Sequence, residues 1–292
     1  MRKITKAVIP AAGFGTRHLP VTKAVAKEML SVLDRPAIDY VVEECVESGI
    51  TDICIILSRG KGMVADYFDR VPELEASLEK TGKFDMLRLV NAYEGRARIS
   101  YIRQPEMRGT AGAVELCRNF TAGEPFALLF PDDVMYNPGS PVTLQLVKAY
   151  EKTGASIVGV QTIPPELAVR YGVMVPVESE GRYTRISGYK EKPPIDELPS
   201  TLTSLGRFVL TDDIYSYIEK TEPTLNGEYY LATSIDLMAK EKPVYAYDFE
   251  GTRYDIGSKE GFLKANIDYA LRDKALRPAA LEILKAALSE NA

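Results

Sequence analysis

Four short runs rich in Val, Ile and Leu, at residues 6–12, 52–58, 98–103 and 126–131, are separated by segments whose apolar residues recur at the helical period. One intervening segment, Ala37 to Val46, places apolar residues on one helical face and acids on the other, and the pattern ends at Gly49. Strands and helices in this βαβα order predict a doubly wound, mixed but mainly parallel sheet, and such sheets take their ligands at the carboxyl ends of the strands.

The first run feeds directly into Ala11-Ala12-Gly13-Phe14-Gly15-Thr16-Arg17, with Lys23 and Lys27 close behind. Backbone N–H groups exposed by a small-residue turn beside fixed cations suit a triphosphate. The turn is neither of two better-known phosphate loops. A dinucleotide fingerprint needs a third glycine where His18 stands, and a P-loop ends in Gly-Lys-Ser/Thr where this chain has Gly15-Thr16-Arg17. The competing reading is a solvated loop whose basic residues face water.

Composition narrows the classes. With 36 Lys plus Arg against 41 Asp plus Glu, the chain lacks the basic excess of a non-specific nucleic-acid binder. No apolar run approaches the length of about 18 residues that a membrane span requires, and the amino-terminal pattern is that of a strand where a signal peptide would have a longer apolar core. The expected location is the cytoplasm. Cys45, Cys54 and Cys117 show no CxxC spacing and lie in segments that read as helix or strand, as buried reduced thiols would. A single histidine, His18, excludes a histidine-rich metal site and reads as a loop residue near the phosphates.

After residue 154 the texture changes. Residues 156–163, 171–177, 183–190 and 204–210 read as strands joined by short turns, which extend the sheet and carry a second pocket. From Ser258 the chain is helical almost to its end, with Pro278 expected to split it into two helices. These helices either pack on their own domain or form a homo-oligomer interface. Residues 59–98, rich in charge, are expected to form two helices beside the site. The boundaries are thus 1–257 for the main domain, divided into 1–154 and 155–257, and 258–292 for the helical segment.

Gly-x-Gly-Thr-Arg followed by Lys-Glu-Met-Leu resembles the signature of the sugar-1-phosphate nucleotidylyltransferases, and the likeness returns in the family's order at five further places. These are Pro131-Asp132-Asp133, Glu191-Lys192-Pro193, Leu205 to Leu210, Gly227-Glu228-Tyr229-Tyr230-Leu231 and Arg253 to Lys259. The spelling is most similar to the bacterial uridylyl-transferring branch. The resemblance implies a Rossmann-like nucleotidyltransferase fold with a sugar-binding extension, and a reaction joining a nucleoside triphosphate to a sugar 1-phosphate, UTP and glucose 1-phosphate first among them. The sugar-phosphate oxygen is already an anion, so no base is needed. The work is to align anions, overcome their repulsion and neutralise the leaving pyrophosphate.

On that likeness Arg17 grips the leaving pyrophosphate, as a guanidinium can hold two phosphate oxygens at once. Lys27 acts as a point charge on the phosphates, and Lys23 has either that role or none. Ala11, Ala12, Gly13, Gly15, Thr16, Gln104 and Gly109 surround the nucleotide. Asp132 and Asp255 hold Mg²⁺, a hard ion that takes one or two carboxylates together with phosphate oxygens. Asp133 reads as a turn or cap residue. Glu191 meets the hexose and Lys192 the 1-phosphate, while Gly172 and Gly206 either let backbone approach the sugar or are structural turn glycines.

Two departures bear on the substrate. Where uridylyl-transferring members commonly carry Gly-Leu-Gly-His-Ala, this chain has Gly109-Thr110-Ala111-Gly112-Ala113, the spelling of thymidylyl-, cytidylyl- and guanylyl-transferring relatives. Ala232-Thr233 replaces the family's usual Thr-Asp. The same chemistry on another base or sugar therefore stays open beside the first reading, as does a sensor that binds nucleotide-sugars without turnover.

Overall fold

The computed structural model describes residues 2–290. Its strands are β1 (Lys6–Pro10), β2 (Ser31–Val32), β3 (Arg35–Pro36), β4 (Asp52–Leu57), β5 (Arg98–Arg103), β6 (Phe126–Leu129), β7 (Asp133–Tyr136), β8 (Ser156–Thr162), β9 (Gly172–Glu180), β10 (Tyr183–Glu191), β11 (Leu202–Leu210), β12 (Val244–Asp248) and β13 (Thr252–Asp255). Nine of them form one sheet in the order β5-β4-β1-β6-β11-β8-β12-β10-β9. The pairings β4–β5, β1–β4, β1–β6 and β8–β12 are parallel, and β11 runs antiparallel between β6 and β8. β10 is antiparallel to both β12 and β9, so the mixed sheet expected from the alternation is observed, with its parallel pairings concentrated in the half that carries β1 and β4.

Period-two alternation sorts the central strands between two cores. Val8, Cys54, Ile56, Phe126 and Leu128 enter one, and Ala7, Ile9, Ile53, Ile55, Leu57, Ala127 and Leu129 enter the other. Burying each large apolar side chain contributes about 1.5–3 kcal/mol, so shifting any central strand by one residue would exchange its partners wholesale. β5, at the sheet edge, keeps Arg98 and Arg103 in solvent, which discourages pairing with another chain.

Several elements depart from the sequence reading. The helix Ala37–Glu47 does not send all its acids outward, because Asp39 and Glu44 are buried. Asp39 accepts from Arg35 and Tyr93, and Glu44 pairs with the buried Arg207. The region 59–98 contains three helices, Gly62–Phe68, Pro72–Lys80 and Phe84–Val90. Pro72 cannot extend a preceding helix, and Gly82, at φ +67°, ends the next. Cys117 lies in a turn between two helices, and all three cysteines are free and buried. The terminal helices Lys259–Arg272 and Arg277–Glu290 part at Asp273, whose Oδ1 accepts the N–H groups of Ala275 and Leu276. Pro278 sits in the first turn of the second helix, where its missing N–H has no helical partner to lose. Among the described residues no helix is long and apolar enough to cross a membrane.

Candidate active site

The loop after β1 is fastened from behind. Ala11 donates its N–H to Ile56 O (2.9 Å), its carbonyl accepts Lys61 Nζ (2.6 Å), and the Ala12 carbonyl accepts Ser58 Oγ (2.8 Å). In contrast, the N–H groups of Ala12, Gly13, Phe14, Gly15 and Thr16 make no hydrogen bond among the described residues. Successive free amides of this kind form an anion-binding concavity. Three 3-10 turns follow, Thr16–His18, Val21–Lys23 and Lys27–Met29, in place of the long helix a dinucleotide loop would open.

Gly15 is required for packing. Its φ is +69°, and a Cβ there would stand 2.9 Å from Lys27 Cβ. The Lys27 side chain thus runs along the glycines, and its ammonium reaches Asp132 Oδ2 at 2.6 Å. Burial works to lower the Lys27 pKa, but the charges of Asp132 and Glu28 outweigh it and hold the group above an ordinary lysine. Burial likewise works to raise Asp132, and the Lys27 charge and hydrogen bond prevail, keeping it below an ordinary aspartate. Arg17 is exposed, makes no hydrogen bond or ion pair among the described residues, and lies close enough for its charge to act on both members of this pair. Lys23 stays in solvent.

The two metal-ligand candidates meet. Ile256 donates its N–H to Asp132 O (2.9 Å), and a Cβ on Gly257 would lie 3.0 Å from Asp132 Oδ2 and 3.1 Å from Asp255 Oδ1. Two carboxylate oxygens facing one spot beside free amides are a hard-oxygen donor set, and they fit a Mg²⁺ whose remaining ligands come from phosphate and water. His18 holds this turn to the loop, donating from Nε2 to Ile256 O (2.8 Å). It serves as a clamp.

Asp133 is no cap. It opens β7, is buried, and its Oδ1 accepts Arg253 Nε at 2.6 Å across the β7–β13 ribbon. Burial pushes it up to about 6, with Asp132 and Asp255 adding and Arg253 opposing. Arg207 holds the adjoining turn from below, donating to Asp133 O (2.7 Å) and Phe130 O (3.2 Å) while pairing with Glu44.

On the far side, Glu191 is paired in register with Gly172 at the end of β10, and Lys192 follows with a positive φ of +46°. Lys192 Nζ stands 3.2 Å from Glu191 Oε1 and its side chain is exposed. The close approaches seen at the two glycines are to protein groups. A Cβ on Gly172 would meet the Tyr189 ring at 2.1 Å, and one on Gly206 (φ +73°) would meet Asp133 Oδ2 at the same distance. Gln104 is buried directly after β5, its N–H bonded to Leu57 O (2.8 Å). Gly109, at φ +80°, lets the backbone of Tyr229 approach, since a Cβ would meet Tyr229 O at 2.6 Å. A cavity of about 570 Å³ opens between Gln104, Arg108, Gly112 and Tyr229.

Sequence reasoning passed over four side chains that hold this site: Glu28, Lys61, Tyr171 and Arg253. Lys61 could have been found by the rule already applied to Asp132, because it too follows the carboxyl end of a parallel strand. Glu28 accepts from it with both oxygens, at 2.7 and 2.9 Å. Tyr171 and Arg253 gave no local signal, as their partners lie 84 and 120 residues away.

Free loop amides and a lysine–aspartate pair after parallel strands, met by a second aspartate from the antiparallel β7–β13 ribbon, suit an α/β protein that handles nucleoside phosphates. Comparison with known proteins agrees. The family model "Nucleotidyl transferase" matches residues 6–272, and the chain belongs to that family. It is 44% identical over 291 residues to the UTP–glucose-1-phosphate uridylyltransferase of Bacillus subtilis (strain 168), covering 100% of this chain and 99% of that protein. Among solved structures it resembles a UDP-glucose pyrophosphorylase complexed with UDP-glucose (35% identity, TM-score 0.85, 92% of this chain and 100% of the other). It also resembles a UTP-bound UGPase from Acinetobacter baumannii (35% identity, TM-score 0.89, 96% and 98%).

Proposed function

We propose that this chain joins UTP and α-D-glucose 1-phosphate to give UDP-glucose and pyrophosphate, in the cytoplasm and with Mg²⁺. The observation that carries the reading is the convergence of Lys27 on Asp132 at 2.6 Å, with Asp255 facing the same glycine, in a chain alike over its whole length to a uridylyltransferase. The free amides from Ala12 to Thr16 receive the triphosphate. Arg17 takes the departing pyrophosphate, and Lys27 offsets charge on the phosphates as the sugar-phosphate oxygen attacks the α-phosphorus in line. Gln104 meets the pyrimidine edge beside Gly109. Glu191 accepts hexose hydroxyls, and Lys192 pairs with the 1-phosphate. Asp132 and Asp255 would hold Mg²⁺, which supplies further charge neutralisation to the triphosphate when bound. No general base is called for, in keeping with a lone histidine engaged by Ile256 O.

The test is a panel of UTP, dTTP, CTP and GTP, each with several sugar 1-phosphates and Mg²⁺, read as pyrophosphate release. Turnover is expected to be fastest with UTP and glucose 1-phosphate. Preference for dTTP would assign the Gly109–Ala113 spelling to base choice. Binding of UDP-glucose without release from any pair would make the chain a sensor.

A further inference from the structure

Asp255 has two carboxylate oxygens in different surroundings. Oδ1 faces the spot it shares with Asp132 Oδ2 beside Gly257, and Oδ2 accepts the Tyr171 hydroxyl at 2.7 Å. Arg253 Nη2 lies 3.7 Å from Oδ2 and is engaged more closely by Asp133, at 2.5 Å. The phenol is therefore the hydrogen-bond donor that fixes how the Asp255 carboxylate is turned. Its own ring is held by the Arg253 guanidinium, 4.4 Å from the centroid.

Tyr171 has a second attachment. Its carbonyl accepts the Lys192 N–H at 3.0 Å, and it precedes Gly172, the register partner of Glu191. A single residue thus touches the metal-ligand turn with its side chain and the Glu191–Lys192 arm with its main chain.

We propose, building on the reading above, that Tyr171 is a positioning residue: its hydroxyl aims Asp255 Oδ1 at the metal, and its main chain keeps Lys192 in register with that metal. Outer-shell hydrogen bonds to ligating carboxylates typically change metal affinity by about 10–100-fold when removed.

Tyr171→Phe removes the hydroxyl and leaves the main-chain bond to Lys192. Mn²⁺ binding, followed by EPR in the presence of UTP, is expected to weaken by about 10-fold or more. The Mg²⁺ concentration for half-maximal turnover should rise in parallel, while the KM for glucose 1-phosphate stays within about two-fold and the melting temperature is unchanged. Unaltered Mn²⁺ affinity would overturn the proposal. So would a rise in the sugar-phosphate KM equal to the loss of metal affinity, which would mark general loosening at the start of β9. The two readings fail separately. An active wild type with unaltered Mn²⁺ binding in the variant removes only the role of Tyr171; an inactive wild type whose Mn²⁺ binding still depends on the hydroxyl removes only the substrate assignment.

Discussion

Arg207 is the largest fully buried side chain among the described residues, and its removal should unsettle both core and site. Its Nε and Nη2 bond both oxygens of Glu44 at 2.7–3.1 Å, and its remaining N–H groups reach the carbonyls of Phe130, Asp133 and Gly206. Arg207→Met would strand the buried Glu44 carboxylate, which keeps only the Thr143 N–H and hydroxyl, at 2.9 and 2.6 Å. Leaving one partner of a buried pair uncompensated costs about 3–5 kcal/mol. The two surviving Thr143 bonds place the expected loss near the lower end, about 3 kcal/mol. Urea unfolding of wild type, Arg207→Met, Glu44→Gln and the double variant, followed by circular dichroism at pH 7, forms a double-mutant cycle. The double variant should recover about 1–2 kcal/mol, because the charge is gone along with its partner. Turnover should stay depressed, because the turn bearing Asp132 has lost its donors to Phe130 O and Asp133 O. A loss below about 1 kcal/mol for Arg207→Met, the level of an exposed pair, would refute the reasoning, as would a double variant no more stable than the single.

Arg17→Ala is expected to lower kcat by about 10²-fold or more with a melting temperature within a few degrees of wild type, as suits an exposed group that acts on charge in transit; equal loss of both properties would mark it as scaffold. Lys27→Ala should lower kcat comparably and also destabilise urea unfolding, because it leaves Asp132 without its partner. Gly206→Ala should destabilise urea unfolding by at least about 2 kcal/mol, because its Cβ would lie 2.1 Å from Asp133 Oδ2 at a φ of +73°. Asp132 titrates below an ordinary aspartate in the folded chain, so its contribution to stability is complete above about pH 4 and is lost as pH falls further. The urea midpoint of wild type should therefore drop more steeply than that of Asp132→Asn between pH 5 and pH 3, and parallel slopes would contradict the assignment.

The elements legible in the sequence were those whose cause is local. β1, β4, β5 and β6 announced themselves as short apolar runs, and β9, β10 and β11 as strands between turn glycines. Arg17, Lys27 and Asp132 drew attention as loop cations and a strand-end acid, whereas Asp255 entered only through the family resemblance; the structure brings Lys27, Asp132 and Asp255 together. What escaped depended on partners distant in sequence. Asp39 and Glu44 look like the solvent face of a helix until Arg35, Tyr93, Arg207 and Thr143 arrive to satisfy them. The β7–β13 ribbon joins segments more than 100 residues apart, so Asp133 gave no sign of its ion pair with Arg253. Pro278 misled because a proline marks a helix start as readily as an end, and the actual break comes from the acceptor Asp273.

The contact between Lys27 and Asp132 has a bearing on how the proposed substrates and metal would be received. On the proposed reading, a cation held by the aspartate would compete with the ammonium for the same carboxylate and leave that ammonium beside the anions the cation brings. On that reading binding would be a change of dancing partners: the positive group would pass from carboxylate to phosphate, with neither left facing a like charge.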